Sequence, residues 1–259
     1  MGYLSIAVCA LSAAGSLIDE IQCPRAFKHP LSLITRKTSY NLFFILNILG
    51  VTLGFYLSNL IEKPSFAILF IGASALLYLK AIYLNTYALL RPLLTSLLLG
   101  MALLSSWLFD IFPSLTTYNQ HMQLFLLKIL GVYIGVLGSL IFIRELVLDQ
   151  LYMNIDHKNK RNTLSLVLGK KRTNGVILIF TLLTTCVILF FLLNDLYRNL
   201  IALIYVSVLI LIPLILLIYH VINASQEKDY KLHLKLLNGI LIFTTLSIAL
   251  YQVQFLLKS

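Results

Sequence analysis

Long apolar segments are the feature of this sequence that most constrains its fold. A hydrocarbon core requires about 20 apolar residues per helix, and backbone groups in lipid must be hydrogen-bonded within their own segment. Segments of this kind are therefore predicted to be transmembrane helices. Eight occur, at approximately residues 2–18, 41–60, 65–83, 92–109, 123–143, 174–193, 199–219 and 236–257. The predicted fold class is an all-α polytopic membrane helix bundle of about eight transmembrane helices, forming a single integral-membrane domain over residues 1–259.

Charge is scarce and unevenly distributed between these segments. Hydrophobic residues make up 59% of the chain and charged residues 12%, which excludes a soluble domain of this length. Sixteen of the 20 Lys and Arg residues fall in alternate loops, near residues 19–40, 80–91, 144–172 and 220–235. This asymmetry predicts that the charged loops face the cytoplasm and that the protein lies in the inner (cytoplasmic) membrane. The net charge of +10 is thereby attributed to orientation and to anionic lipid, and no nucleic acid is expected as a partner.

The N-terminus does not fit a secretory leader. Met1 begins almost directly in an apolar segment, without a basic region before it or a convincing small-residue cleavage site after it. A cleaved signal peptide is therefore not expected. An additional helix upstream is the simpler expectation.

One polar stretch, residues 144–172, interrupts the apolar sequence and carries ten charged residues. If the preceding helix continues through it, Glu145, Asp149, Tyr152 and Asp156 share one helix face. Magnesium prefers oxygen ligands and usually shares its coordination between one or two carboxylates, water and substrate phosphates. Two helical turns separate Asp149 from Asp156 by about 10 Å along the axis, too far for both to ligate one ion directly.

The same stretch resembles the second aspartate-rich motif of the UbiA superfamily of intramembrane prenyltransferases. That motif has the form RExxxDxxDxxxD and is followed by TLPxxLG. Arg144, Glu145, Asp149 and Asp156 match its opening and its first and last aspartates, whereas Tyr152 replaces the middle one. The following NTLSLVLGKKRT keeps the TL and LG pairs, with serine in place of proline.

The first motif of the family, NDxxDxxxD, is eroded in this chain. The corresponding segment reads AAGSLIDEIQCP, so that Asp19, Glu20 and Cys23 stand where asparagine, aspartate and aspartate are expected. The loop that follows is shortened and contains no carboxylate before Tyr40. Asp19 and Glu20 are equally explained as residues that end a helix or pair with Arg25.

The resemblance covers nearly the whole chain, which looks like helices two to nine of the nine-helix family and is most similar to bacterial homologues grouped with geranylgeranylglyceryl phosphate prenyltransferases. It implies transfer of a polyprenyl group from its diphosphate to a membrane-soluble lipid or aromatic acceptor, with Mg²⁺ as cofactor. It also implies the site residues. The metal ligands would be Asp149, Asp156, Glu20 and Asp19, and the diphosphate partners would be Lys158, Lys160, Arg161 and Arg144.

Two alternatives stay open beside the enzyme. A catalytically impaired homologue, acting as a lipid-binding or structural membrane subunit, is favoured by Tyr152, Cys23 and the shortened first loop. A transporter is less favoured, because no matching pair of Gly/Pro-interrupted helices occurs in the two halves. The five histidines show no metal-ligand spacing, and each basic residue is also explained by orientation alone.

Overall fold

The computed structural model describes residues 2–22, 36–83, 87–114, 116, 120–196, 200–224 and 226–258. Within these ranges every regular element is helical. In chain order the helices are α1 (Gly2–Gln22), α2 (Arg36–Leu60), α3 (Ala67–Tyr83), α4 (Leu90–Ser106), α5 (Gln120–Leu151), α6 (Met153–Lys158), α7 (Leu164–Leu168), α8 (Lys170–Phe191), α9 (Leu200–Val206), α10 (Ile212–Asn223) and α11 (Glu227–Lys258).

The predicted fold class is confirmed. In the described part of the chain, eight helical stretches are long and apolar enough to cross a membrane: Gly2–Asp19, Lys37–Leu60, Pro64–Tyr83, Leu90–Ile111, Gln120–Leu151, Lys170–Asn194, Leu200–Asn223 and Glu227–Ile248. Large apolar side chains such as Ile68, Phe190 and Leu200 lie exposed on these helices, as they do where a helix faces lipid. The chain is an integral membrane protein of the all-α polytopic class.

Two helix ends differ from the sequence-based prediction. Helix α5 continues past residue 143 to Leu151, and α11 begins at Glu227 instead of near residue 236. The start of α11 is stabilised by Asp229, whose carboxylate accepts a hydrogen bond of 2.9 Å from the backbone N–H of Gln226. This is the returning half of a capping box, and acidic residues favour the first turn of a helix. Hydropathy alone therefore underestimates the length of helices that have polar ends.

Three short π-helical segments extend or join the helices: Trp107–Ile111, Leu192–Leu196 and Ser207–Leu211. The third leads directly into α10, which carries Pro213 in its first turn. Proline has no backbone N–H, so the regular bond to the carbonyl four residues earlier cannot form there, and the helix widens locally. The span Leu200–Asn223 is therefore continuous but irregular.

The chain divides into two compact units, Met1–Ile134 and Gly135–Ser259, and the boundary lies within α5. In the first unit, one face of α1 packs against α2 and α3. The buried side chains are Leu4, Ala7, Leu11, Ala14 and Ile18 of α1 with Phe43, Leu57, Phe70, Ala73 and Leu77. Their spacing of three and four residues along α1 gives a single buried stripe.

Two glycines of α2 allow this close packing. A Cβ atom at Gly50 would lie 2.6 Å from Leu11 Cγ, and one at Gly54 would lie 2.2 Å from Phe70 Cγ. Both distances are far below van der Waals contact. The two glycines are four residues apart, the small-xxx-small spacing by which membrane helices approach one another.

The second unit is built from the end of α5 with α8, α10 and α11. Its fully buried apolar side chains include Leu140, Ile143, Ile177, Leu214 and Leu237. Polar contacts add to the packing of α5 on α8, because the Thr184 hydroxyl donates to Ser139 Oγ at 2.9 Å. Hydrogen bonds of this kind stabilise helix pairs in lipid by about 0.6 kcal/mol each.

Candidate functional site

The acidic residues that were predicted to share one helix face lie at the end of the fifth membrane span and just after it. Asp149 lies in the last turns of α5 and is 1% exposed, whereas Asp156 lies in α6 and is 0% exposed. Tyr152 separates the two helices in a turn, but its carbonyl still accepts bonds from the N–H groups of Ile155 and Asp156. Glu145, one turn before Asp149, is buried as well. The three acidic side chains are thus all removed from solvent, as a shared helix face predicts.

Asp156 forms an ion pair with Arg161. Arg161 Nη1 lies 3.2 Å from Asp156 Oδ1, and both side chains are buried. The backbone brings them together: the N–H of Arg161 donates to Asp156 O, and that of Lys160 donates to His157 O. With Lys160 at φ 51°, this is a Schellman motif that ends α6 and turns the chain back over its last turn. A residue predicted to bind diphosphate therefore neutralises one predicted to bind metal.

Arg144 also contacts residues of the chain itself. Its Nη1 lies 3.1 Å from Glu145 Oε1, and its Nε donates to Asn238 Oδ1 of α11 at 2.9 Å. The Arg144 side chain is about one third exposed, whereas that of Glu145 is buried. Arg144 thus links α5 to α11 while part of its guanidinium remains accessible.

The remaining predicted diphosphate partners, Lys158 and Lys160, are exposed. Lys158 ends α6, and Lys160 lies within the Schellman turn that follows it. Lys170, Lys171 and Arg172 at the start of α8 are exposed too. This end of the second unit therefore presents cationic side chains to solvent directly beside the buried carboxylates.

The TL and LG pairs enclose the short helix α7. Thr163 is extended and precedes α7, while Gly169 separates α7 from α8 with φ 80° and ψ 160°. That backbone conformation is essentially restricted to glycine, which explains the glycine of the LG pair. Thr163 and Ser165 are buried, and neither hydroxyl has a hydrogen-bond partner among the described residues.

The residues of the first motif lie in the first unit. Asp19 Oδ2 lies 2.8 Å from Lys80 Nζ, and Lys80 is 2% exposed. Asp19 thus forms an ion pair with Lys80 of α3. The side chain of Glu20, and Cys23 and Arg25, lie outside the described residues.

Magnesium does not have an evident set of ligands in the described ranges. No group of three or more His, Cys, Asp or Glu side chains that could hold a metal occurs there. Asp156, which should complete the carboxylate pair, is already neutralised by Arg161. The residues that the structure describes therefore do not by themselves fit a magnesium site, and the metal stays a prediction.

Sequence reasoning missed three buried polar residues at the same end of the second unit. Gln150, Tyr230 and His233 are each at most 2% exposed. The last two were assigned to a loop because α11 was predicted to begin near residue 236. The acidic residues Glu227 and Asp229 in its first turn were the available signal for an earlier helix start.

Comparisons with protein-family models, with curated proteins and with solved structures found no match.

Proposed function

We propose that this chain is a UbiA-type membrane prenyltransferase homologue, which transfers a polyprenyl group from its diphosphate to a lipid or aromatic acceptor. One observation carries the proposal: Asp149 and Asp156 are buried at the end of an apolar span, immediately before an exposed basic segment. Ionisable residues at membrane depth are costly and usually serve function. The TL and LG pairs at α7 add to the resemblance.

The arrangement suits an amphiphilic anion. Exposed Lys158 and Lys160 would attract the diphosphate electrostatically, and preorganised charges stabilise the departing diphosphate better than water does. The apolar helices of the membrane span would hold the isoprenoid tail and exclude water. The distribution of basic residues supports an orientation in the inner membrane with this end towards the cytoplasm.

A second candidate function, lipid binding without transfer, is favoured by the ion pairs. Arg161 neutralises Asp156, and Lys80 neutralises Asp19. Two of the four predicted metal ligands are thus occupied by cationic side chains of the same chain. A descendant that has lost catalysis would keep the fold, the basic segment and an affinity for polyprenyl diphosphate.

Binding and turnover distinguish the two candidates when they are measured separately. The full chain in lipid nanodiscs is incubated with labelled geranylgeranyl diphosphate, Mg²⁺ and a panel of quinone-precursor and glycerol phosphate acceptors. Saturable binding is measured by filtration and diphosphate release by a coupled assay. The informative variant is Asp149→Asn, which keeps the side-chain volume, and the matched control is the exposed Glu62→Gln of the first unit.

Each outcome decides between the candidates. Release by the wild type and by Glu62→Gln that is lost in Asp149→Asn supports the transferase. Saturable binding without release from any acceptor supports the lipid-binding homologue. Neither binding nor release overturns both.

A further inference from the structure

The three buried residues that sequence reasoning missed belong to one group of contacts in the second unit. Gln150 ends α5, and its Nε2 donates to Asn174 Oδ1 of α8 at 2.8 Å. Asn174 Nδ2 in turn donates to the carbonyl of Ala224, directly after α10, at 3.0 Å. Tyr230 of α11 lies next to Asn174. The ends of four helices thus meet around this group.

The hydrogen bonds fix the orientation of both amides. The Ala224 carbonyl can only accept, so the NH₂ group of Asn174 must face it and Asn174 Oδ1 must face Gln150. Gln150 Nε2 also donates to the carbonyl of Lys170 at 3.2 Å. Both donors of Gln150 are therefore used, and its Oε1 is left as an acceptor without a partner among the described residues.

Tyr230 and His233 extend the group along α11. They are one helical turn apart on the same face, and their ring centroids are 5.9 Å apart in an edge-to-face arrangement. Both are 1% exposed. In the part of the chain that the structure describes, both ring nitrogens of His233 have no hydrogen-bond partner, and the Tyr230 hydroxyl, although it lies next to the Asn174 side chain, does not form a well-aligned hydrogen bond. Leaving such groups buried and unsatisfied is costly, and most native proteins avoid it.

We propose that Gln150, Tyr230 and His233 bind the hydroxyl group of an uncharged, membrane-soluble molecule. A hydroxyl group both donates and accepts hydrogen bonds. It would donate to Gln150 Oε1, and its two lone pairs would accept from the Tyr230 hydroxyl and from the protonated nitrogen of a neutral His233. The inference goes beyond prenyl transfer, because none of the three residues is a predicted metal ligand or diphosphate partner, although Gln150 follows Asp149 directly in the sequence.

The surroundings of the group define the ligand class. Gln150, Asn174 and Tyr230 carry no formal charge, and the charged residues nearest to Tyr230, Asp229 and Lys170, are opposite in sign, so neither an anionic nor a cationic head group is favoured. Lys170 is exposed, and its Nζ lies 5.9 Å from the Tyr230 ring centroid. The residues lie at the ends of membrane spans, where the hydroxyl of a lipid resides while its chains remain in hydrocarbon. A glycerol hydroxyl of a diacylglycerol and a phenolic hydroxyl of a hydroquinone share this chemistry.

Thermal unfolding of the full chain in detergent micelles tests the proposal with matched ligands. Dioctanoylglycerol is compared with trioctanoylglycerol, and decylhydroquinone with its dimethyl ether; each second compound lacks the free hydroxyl. A ligand that binds the folded state raises Tm, here by about 2–5 °C near saturation. We expect stabilisation by at least one hydroxyl compound and none by its blocked partner, and the responding pair identifies the glycerol or the phenol as the source.

Two variants test whether Tyr230 and His233 are responsible for the ligand-dependent rise in Tm. Tyr230→Phe removes only the hydroxyl, and His233→Phe removes both ring nitrogens; each should abolish the ligand-dependent rise in Tm. Without ligand, Tyr230→Phe should melt at or above the wild-type temperature, because it deletes an unsatisfied buried group. Tyr219→Phe, at an exposed tyrosine of α10, should retain the full rise. The proposal is overturned if no hydroxyl compound stabilises the wild type, if blocked compounds stabilise it equally, or if either Tyr230→Phe or His233→Phe retains the full rise.

Discussion

Arg161 Nη1 lies 3.2 Å from Asp156 Oδ1, and neither side chain is accessible to solvent. The Schellman motif at the end of α6 places the two residues together, since the same turn pairs the N–H of Arg161 with the carbonyl of Asp156. This ion pair bears on the role of Asp156 in the second aspartate motif. An aspartate that neutralises a buried guanidinium has a structural task, whatever it also does for a ligand.

Removing one partner of this pair should be strongly destabilising. Arg161→Ala would leave the Asp156 carboxylate buried without its main counter-ion, and we expect a loss of about 3–5 kcal/mol in the free energy of unfolding. The double variant Asp156→Leu with Arg161→Leu should lose much less, because neither charge of the pair is left without the other. Urea unfolding in micelles measures both. Arg172→Ala, at an exposed position, is the control and should change stability by less than about 0.5 kcal/mol. Equal losses in single and double variants would contradict the ion-pair interpretation.

The exposed lysines should contribute to diphosphate affinity without contributing to the fold. Lys160 has φ 51°, a conformation that asparagine tolerates, so Lys160→Asn keeps the turn while removing the charge. Combined with Lys158→Gln, it should weaken geranylgeranyl diphosphate binding about fivefold, corresponding to ~1 kcal/mol. The effect should shrink at high salt, because screening weakens exposed charges.

Filter binding at low and high ionic strength checks this expectation. Lys63→Gln, at an exposed lysine of the first unit, is the control variant and should bind like the wild type. If the Lys158 and Lys160 variant has an unchanged affinity at low salt, the turn after α6 does not contribute to the proposed diphosphate site.

The Asp19–Lys80 pair in the first unit should tolerate exchange of its charges better than loss of one. Lys80 is almost fully buried, so Asp19→Asn leaves a cation without its partner and should destabilise the fold by about 3 kcal/mol. Exchanging the two residues, Asp19→Lys with Lys80→Asp, should restore part of that loss. Thermal unfolding without added metal measures the effect. If Asp19→Asn has wild-type stability, the ion pair does not stabilise the fold.

Close helix packing in the first unit should depend on Gly54. A Cβ atom there would lie 2.2 Å from Phe70 Cγ and 2.4 Å from its Cδ2, both ring atoms of a buried side chain. Gly54→Ala should therefore cost about 1–3 kcal/mol through overpacking. Gly131→Ala in α5, where a Cβ atom meets nothing within 4 Å, should instead be neutral or slightly stabilising. Unfolding in micelles distinguishes them, and an equal response of both variants would show that α2 can shift without penalty.

Much of the architecture follows from local sequence. A run of about 20 apolar residues must become a helix in lipid because its backbone has no other hydrogen-bond partners, and eight such runs predict eight spans. The shared burial of Glu145, Asp149 and Asp156 also follows from helical spacing. The start of α11 differs from the predicted span, because polar residues at a helix end, such as Asp229, lower the local hydropathy although they stabilise the helix.

The sequence by itself therefore determined the number of spans, their helical nature and the position of the charged segment. Only the tertiary structure decided which polar groups face one another. In a membrane protein both lipid and protein interior are apolar, so hydropathy does not reveal which face of a helix is buried against its neighbours. The hydrogen bond of Gln150 in α5 to Asn174 in α8, and that of Arg144 in α5 to Asn238 in α11, depend on that packing.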